Sequence, residues 1–190
     1  SIHPHARIVA VDDREAAKIP GVACVLTGEQ ARGLSKPLRS LIPLPVEVPY
    51  HCLAHDKVRY VGEPVAAVAA TSRYLAEDAL EKIVVEYEPL PAAVDPETSM
   101  KEGAPLLFES LGTNVLWHDC FNYGEVDGVF AQARHVLSDR FYIQRYSSTP
   151  METFGVTASY DNARGYLTLW TNDQRPGQAL PIISHSLGLA

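Results

Sequence analysis

Residues 147–174 constrain the fold of this chain more than any other stretch. Two runs within it, residues 154–160 and 166–171, are rich in the β-branched and aromatic residues that favour strands. The five-residue loop between them ends in Gly165, which can adopt the positive φ that such loops require. The stretch therefore predicts a β-hairpin, with Gln174 just beyond the end of its second strand.

The rest of the chain mixes strands with short helices. Strands are predicted at residues 6–11, 21–27, 65–70, 84–88 and 136–144. Helices are predicted at residues 14–18, 74–83 and 127–134, the second of them capped by Thr71 or Ser72. Residues 31–49 contain several prolines and indicate an irregular loop. This succession predicts an α+β fold.

A Gly-Glu-Pro sequence at residues 62–64 predicts a sharp bend between two strands. Gly62 permits a positive φ, and we expect little room for a side chain there. Pro64 cannot donate a hydrogen bond to a strand ladder. Glu63 has two open roles, a structural one that holds the bend through a hydrogen bond or ion pair and a catalytic one. We favour the structural role.

Charge and cysteine content exclude several classes of protein. The 190 residues carry a net charge of −7, which disfavours a nucleic-acid-binding surface. No apolar run approaches the roughly 18 residues of a membrane-spanning helix. Cys24, Cys52 and Cys120 are widely spaced, which disfavours a disulfide framework and favours a reducing cytoplasm. Cys24 lies in an apolar run and is predicted to be buried.

His51 and His55 have the four-residue spacing of two metal ligands on one helix face. A helix is not expected there, because Pro49 precedes the pair and a strand follows it. No acidic residue stands at a supporting distance along the sequence. We therefore predict no metal-ligating residues in this chain.

Three motifs resemble one protein family. The first is Pro150-Met-Glu followed by a strand, an Asp-centred turn and Leu-Thr-Leu-Trp-Thr-x-x-Gln174. The second, beginning at Val58, reads Val-Arg-Tyr-x-Gly-Glu-Pro-Val-Ala, and the third, beginning at Val85, reads Val-x-Tyr-Glu-x-Leu-Pro. Together they are similar to the molybdenum-binding large subunit of molybdenum hydroxylases. This is the family of xanthine dehydrogenase, aldehyde oxidoreductase and aerobic carbon monoxide dehydrogenase.

The resemblance implies two domains and one site residue. Residues 1–112 correspond to an α/β-hammerhead domain, a mixed sheet with packed helices. Residues 113–190 correspond to the beginning of the molybdenum-cofactor-binding domain. Gln174 matches the glutamine that approaches the molybdenum centre in the family, so it is the expected catalytic and cofactor-contacting residue. Glu152 is expected to be structural, with Arg145 or Arg140 as its partner.

The resemblance also implies a reaction, cofactors and partners. The complete enzyme would insert a water-derived oxygen into an aldehyde or N-heterocycle, or oxidise carbon monoxide. Its cofactor would be molybdenum-molybdopterin, in the cytosine dinucleotide form. Electrons would pass to a 2Fe–2S cluster and FAD on partner subunits or domains. A dimer of heterotrimers is expected, with a small-molecule substrate and no nucleic-acid partner.

The family's glycine-rich cofactor loop and its late glutamate base have no counterpart in these residues. We therefore expect the chain to be a segment of a larger subunit, inactive alone and completed by the remainder of that subunit. The alternative is a non-catalytic assembly or scaffold protein that kept the hammerhead fold and lost the cofactor site. The residues that select the substrate are expected to lie mostly outside this chain.

Overall fold

The structure, a computed structural model, describes residues 1–40, 42–146 and 149–189. Its strands in those ranges are β1 (Ala6–Asp12), β2 (Val22–Thr27), β3 (Lys57–Val58), β4 (Ala66–Ala70), β5 (Val84–Pro89), β6 (Val156–Asp161) and β7 (Tyr166–Thr171). Its helices are α1 (Arg14–Ala17), α2 (Gly28–Leu34), α3 (Arg73–Leu80), α4 (Pro96–Ser99), α5 (Val126–Gln132) and α6 (Pro176–Leu187), and a single 3₁₀ turn spans Glu109–Leu111. The mixture of helices with small sheets confirms the predicted α+β class.

The described residues form two compact units. One comprises residues 1–117 and 177–190, and the other comprises residues 118–176. Residues 147 and 148, which begin the hairpin stretch, lie outside the described residues, as does residue 41 in the proline-containing loop. Across the described part of the chain, no helix is long and apolar enough to cross a membrane.

Strand β1 is the centre of an antiparallel three-stranded sheet with the order β3-β1-β5. Ala6 lies opposite Val58 on β3 and opposite Pro89 on β5. A bulge between Ile8 and Ala10 shifts the register toward the far end of β1. Because bulges increase the local twist, β1 can curve over the core beneath it.

The hydrophobic core cluster that includes β1 is small. Its buried centre consists of Ala6, Ala54, Val58 and Val65, and Ile8, Val11, Val85 and Tyr87 pack around it. Small side chains let backbone segments approach closely, and among the described glycines the tightest position is Gly28, the first residue of α2. Its N–H donates to the Val65 carbonyl at 3.0 Å. A methyl group added at Gly28 would lie 1.8 Å from the Ala54 carbonyl oxygen. The first residue of helix α2 therefore contacts the backbone of Ala54 and Val65 directly.

A second, two-stranded sheet pairs β2 with β4 in antiparallel register. Helix α3 packs against β4, as the run of alanines in that strand predicts. Ser72 caps α3 by accepting a hydrogen bond from the Leu75 N–H at 3.3 Å. Gly21, at φ 94°, accepts the Thr71 N–H at 2.8 Å and so joins the start of β2 to the residues before α3.

The predicted hairpin is confirmed in the unit of residues 118–176. Strands β6 and β7 pair in antiparallel register, with Val156 opposite Thr171 and Asp161 opposite Tyr166. The Asp161 carboxylate accepts backbone N–H groups from the turn, that of Ala163 at 2.9 Å among them. Gly165 closes the turn with φ 64°, the positive value expected of it.

Two secondary-structure predictions need correction. Helix α2 occupies residues 28–34, where the irregular loop was predicted to begin at residue 31. Gln30 accepts the Thr27 N–H at 2.8 Å, so a capping interaction starts this helix. Residues 136–144 do not form the predicted strand, because no described segment pairs with them. The predicted helix at 127–134 is confirmed as α5.

Two burial predictions were wrong. Cys24 is exposed, and it lies where the register of the two-stranded sheet shifts between Val22 and Cys24. Gly62 has the expected positive φ, 92°, yet no described atom lies within 4 Å of where its Cβ would be. The bend therefore requires glycine for its backbone conformation and not for lack of space.

Candidate functional site

Asn172 closes the open end of the hairpin, directly after β7. Its Nδ2 donates to the Thr153 carbonyl at 3.0 Å, and its Oδ1 accepts the Gly155 N–H at 3.3 Å. The side chain thus continues the pairing of the two strands beyond the last backbone pair. The position at which the chain leaves the hairpin is set by this side chain.

Gln174 occupies a tight turn between β7 and α6. The Asp173 carboxylate accepts the Arg175 N–H at 2.6 Å, which is the local pattern of an Asx turn. Pro176 then begins α6, where its missing N–H costs nothing. The Gln174 side chain is exposed, and within residues 1–40, 42–146 and 149–189 its amide has no hydrogen-bonding partner.

A free, neutral amide has a restricted set of chemical uses. Its NH₂ group can donate to an oxygen atom and its carbonyl can accept, without adding charge. It is not a metal site by itself, and the described residues contain no group of three or more His, Cys, Asp or Glu side chains arranged to hold a metal ion. Within the described residues, the Gln174 amide is therefore available to hydrogen-bond a bound group.

Glu152 is exposed, in the same unit as Gln174. Among the described residues, no ion pair joins its carboxylate to Arg145 or to Arg140. Its structural role therefore stays a prediction.

The rings of His51 and His55 pack edge to face, with centroids 5.1 Å apart. Burial lowers the pKa of His51, and the nearby His55 adds to the effect. The His51 Nδ1 atom is buried without a hydrogen-bonding partner among the described residues. No third ligand joins the pair in this part of the chain, so the contact is a packing contact between two rings.

Glu63 is 2% exposed at the bend. Its carboxylate accepts the Arg59 N–H, and its own N–H donates to the Tyr60 carbonyl at 3.3 Å. Burial raises its pKa, and the hydrogen bond from Arg59 offsets part of that rise. These contacts hold the turn of residues 59–63 together, which is what the structural role requires.

Sequence reasoning missed Lys57 and Arg59, whose side chains are each only 11% exposed. Their spacing of two residues could have drawn attention to them. Residues two apart on a strand project to the same face, and two cations on one face beside a glycine bend call for anionic or carbonyl partners. Those partners lie about fifty residues further along the chain, at residues 107–109. A sequence pattern does not specify such a long-range pairing.

Two sequence-family models match the chain. Residues 1–91 match the a/b hammerhead domain of aldehyde oxidase and xanthine dehydrogenase. Residues 107–190 match the molybdopterin cofactor-binding domain, which includes the hairpin and Gln174. The chain belongs to the large-subunit family of molybdenum hydroxylases.

Individual relatives agree with this assignment. The gamma subunit of the 6-hydroxypseudooxynicotine dehydrogenase complex of Paenarthrobacter nicotinovorans is 41% identical over 90% of this chain and 22% of its own length. The large chain of carbon monoxide dehydrogenase of Afipia carboxidovorans is 36% identical over 100% of this chain and 25% of its own. The crystal structure of quinoline 2-oxidoreductase from Pseudomonas putida 86 superimposes with a TM-score of 0.87 at 35% identity, over 100% of this chain and 24% of that one. The chain thus spans about a quarter of the length of these relatives.

Proposed function

We propose that this chain is part of the molybdenum-binding catalytic subunit of a hydroxylase. Residues 1–112 would form the hammerhead domain, and residues 113–190 would begin the cofactor-binding domain. Gly112, at φ 66°, ends the 3₁₀ turn between the two and supports a boundary there.

One observation carries the proposal. The chain matches the molybdopterin cofactor-binding domain over residues 107–190, and within that match an exposed, unpaired amide stands at the apex of a tight turn. The strand pairing, the Asn172 bridge and the Asp173 turn all restrict the position of Gln174. A side chain held on a rigid turn is suited to a directed hydrogen bond.

The bound cofactor would supply the oxidising metal centre and the activated oxygen. Gln174 would donate its Nε2–H to an oxygen on that centre. A neutral donor stabilises negative charge that develops on oxygen, and it does so without competing for a proton as a lysine or histidine would. Glu63, Lys57 and Arg59 would have no contact with the reacting atoms.

The remaining features of the enzyme follow from the family. We propose the cytosine dinucleotide form of molybdopterin as the cofactor, with a 2Fe–2S cluster and FAD on partner subunits. A dimer of heterotrimers in the cytoplasm is the proposed assembly, and three free cysteines suit a reducing compartment. The proposed substrates are an N-heterocycle, an aldehyde or carbon monoxide, because relatives named for quinoline, for aldehydes and for carbon monoxide all align over the whole chain.

The test is substrate-dependent reduction of an artificial electron acceptor by the protein purified with its partner subunits from molybdenum-replete cells. Quinoline, benzaldehyde and carbon monoxide represent the three substrate classes. We expect turnover with one class, and the Gln174→Ala variant should lower it by roughly ten- to a hundredfold at unchanged molybdenum content.

The matched control is Asn162→Ala, which removes an exposed polar side chain from the turn at the opposite end of the same hairpin. It should leave turnover unchanged. Equal rates for Gln174→Ala and the wild type would refute the role of Gln174. A folded protein from molybdenum-replete cells that contains no molybdenum and turns over none of the three classes would instead favour the non-catalytic scaffold.

A further inference from the structure

Lys57, which is buried, and Arg59, whose side chain is 11% exposed, contact three consecutive residues, 107–109, shortly before the proposed domain boundary at Gly112. Arg59 donates from Nε to the Leu107 carbonyl at 3.0 Å, and its guanidinium lies 4.3 Å from the centroid of the Phe108 ring. Lys57 pairs through Nζ with the Glu109 carboxylate. We refer to these contacts of Lys57 and Arg59 with residues 107–109 as the junction clamp.

The hydrogen-bonding capacity of Arg59 is almost completely used. Besides Leu107, its guanidinium donates to the Lys57 carbonyl at 3.0 Å and to both carboxylate oxygens of Asp56 at 3.2 Å. The backbone N–H of Arg59 donates to the buried Glu63 carboxylate. A buried guanidinium is tolerated only when its donors are satisfied, so the orientation of this side chain is strongly determined.

The other half of the clamp is equally specific. The hydrogen bond from Lys57 lowers the pKa of Glu109, so the carboxylate is ionised at neutral pH. The Asn114 side chain organises the loop that presents residues 107–109, because it accepts the Leu107 N–H at 3.1 Å and donates to the Ser99 and Pro105 carbonyls. The conformation of this loop is therefore also fixed by Asn114, through contacts that do not involve Lys57 or Arg59.

Other ion pairs have more exposed cations, Arg7 for example, although the Glu109 side chain of the clamp is itself 62% exposed. Arg7 and Glu88 pair at 3.0 Å on the neighbouring strands β1 and β5, with side chains 56% and 61% exposed. Exposed pairs of that kind contribute little to stability. Burial of Lys57 and Arg59 carries a desolvation cost, which the hydrogen bonds and the contact with Phe108 offset. Contacts of this kind restrict a segment to one position more strongly than exposed ion pairs do.

We propose that Lys57 and Arg59 are positioning residues, which hold the first residues of the molybdopterin-binding match against the hammerhead sheet and thereby support retention of the cofactor. The match begins at residue 107, the first residue that the clamp contacts. In this proposal neither cation contacts the cofactor. The role in cofactor retention rests on the proposed function. The positioning of residues 107–109 by the clamp does not depend on it.

The experiment uses the complete protein with its partner subunits and compares Arg59→Gln with the wild type. Hydrogen exchange of peptides covering residues 105–112 should accelerate by about tenfold or more, because the hydrogen bond to the Leu107 carbonyl and the contact with the Phe108 ring are lost together. Molybdenum and pterin content per chain after gel filtration should fall by about half or more. Phe108→Leu is the second variant, which weakens the clamp from the loop side and leaves both cations in place.

Two controls separate positioning from general stability. Arg7→Gln removes the exposed pair and should change neither the exchange at residues 105–112 nor the molybdenum content. The double exchange Lys57→Glu with Glu109→Lys restores an ion pair, so it should recover more molybdenum than Lys57→Glu alone. No recovery in the double exchange would overturn the contribution of the ion pair between positions 57 and 109.

Unchanged exchange at residues 105–112 in both Arg59→Gln and Phe108→Leu would overturn the clamp. Accelerated exchange with full molybdenum content would overturn its role in cofactor retention. If the wild-type protein itself contained no molybdenum, the proposed function and the cofactor half of this inference would both fail. The exchange result would still decide the clamp on its own.

Discussion

Replacing Gly28 with alanine tests a close approach between the start of α2 and the backbone of residue 54. A methyl group at this position would lie 1.8 Å from the Ala54 oxygen, 2.5 Å from the Ala54 carbonyl carbon and 2.9 Å from the His55 Cα. All three atoms belong to backbone, so no side-chain rotation relieves the clash. Restoring ordinary contact requires α2 and residue 54 to separate by about 1.5 Å, given that non-bonded heavy atoms prefer roughly 3.5 Å.

That separation would also lengthen the hydrogen bond from the Gly28 N–H to the Val65 carbonyl, now 3.0 Å. Overpacking typically costs about 1–3 kcal/mol, and a clash with rigid backbone places Gly28→Ala at the upper end or beyond. At roughly 2–4 °C per kcal/mol for a protein of this size, the melting temperature should fall by about 6–12 °C.

The matched control lies in the same helix. Gly33 has nothing within 4 Å of its Cβ position, so Gly33→Ala should leave stability unchanged or raise it by up to about 1 kcal/mol through helix propensity. The assay is thermal unfolding followed by circular dichroism on both variants and the wild type. Equal melting temperatures for Gly28→Ala and Gly33→Ala would refute the packing of α2 against residue 54.

Two further predictions concern the bend. Gly62→Ala should lower stability by about 1–3 kcal/mol, because alanine is strained at φ 92° although the space is open; a melting temperature equal to that of the wild type would show that the bend relaxes. Glu63→Gln should be neutral or slightly stabilising at pH 7 and keep its acceptor for the Arg59 N–H. Burial raises the pKa of Glu63, so the folded protein binds the proton more tightly and ionisation opposes folding above that pKa. The stability difference between Glu63→Gln and the wild type should therefore shrink as pH falls through the raised pKa of Glu63, which unfolding curves at pH 7, 6 and 5 would reveal. A Glu63→Gln protein that folds, retains molybdenum and loses nearly all turnover would instead reveal a catalytic acid.

Local patterns in the sequence were sufficient to predict the hairpin, because its information lies within a few residues. The strands have β-favouring side chains, and Gly165 provides the positive φ of the turn. Helix α2 also had a local signal, a Thr27-x-x-Gln30 capping pattern, but the prolines that follow it favoured a loop interpretation.

Long-range contacts could not be predicted in the same way. The approach of Gly28 to Ala54 and the pairing of Arg59 with residues 107–109 join segments that no sequence period connects. Residues 136–144 illustrate the converse case. Their strand propensity is real, but a strand forms only when another strand pairs with it, and no described segment does so. The family motif was sufficient to single out Gln174 as a candidate. The turn that Asp173 forms around it is visible only in the structure.

The molybdenum content of the purified protein tests the central claim most directly. Cells able to synthesise the molybdenum cofactor should yield protein with close to one molybdenum and one pterin per chain, measured by elemental analysis and by fluorescence of the oxidised pterin. A folded protein that carries neither, prepared from cells in which a known molybdenum hydroxylase is fully loaded, would contradict the assignment as a catalytic subunit.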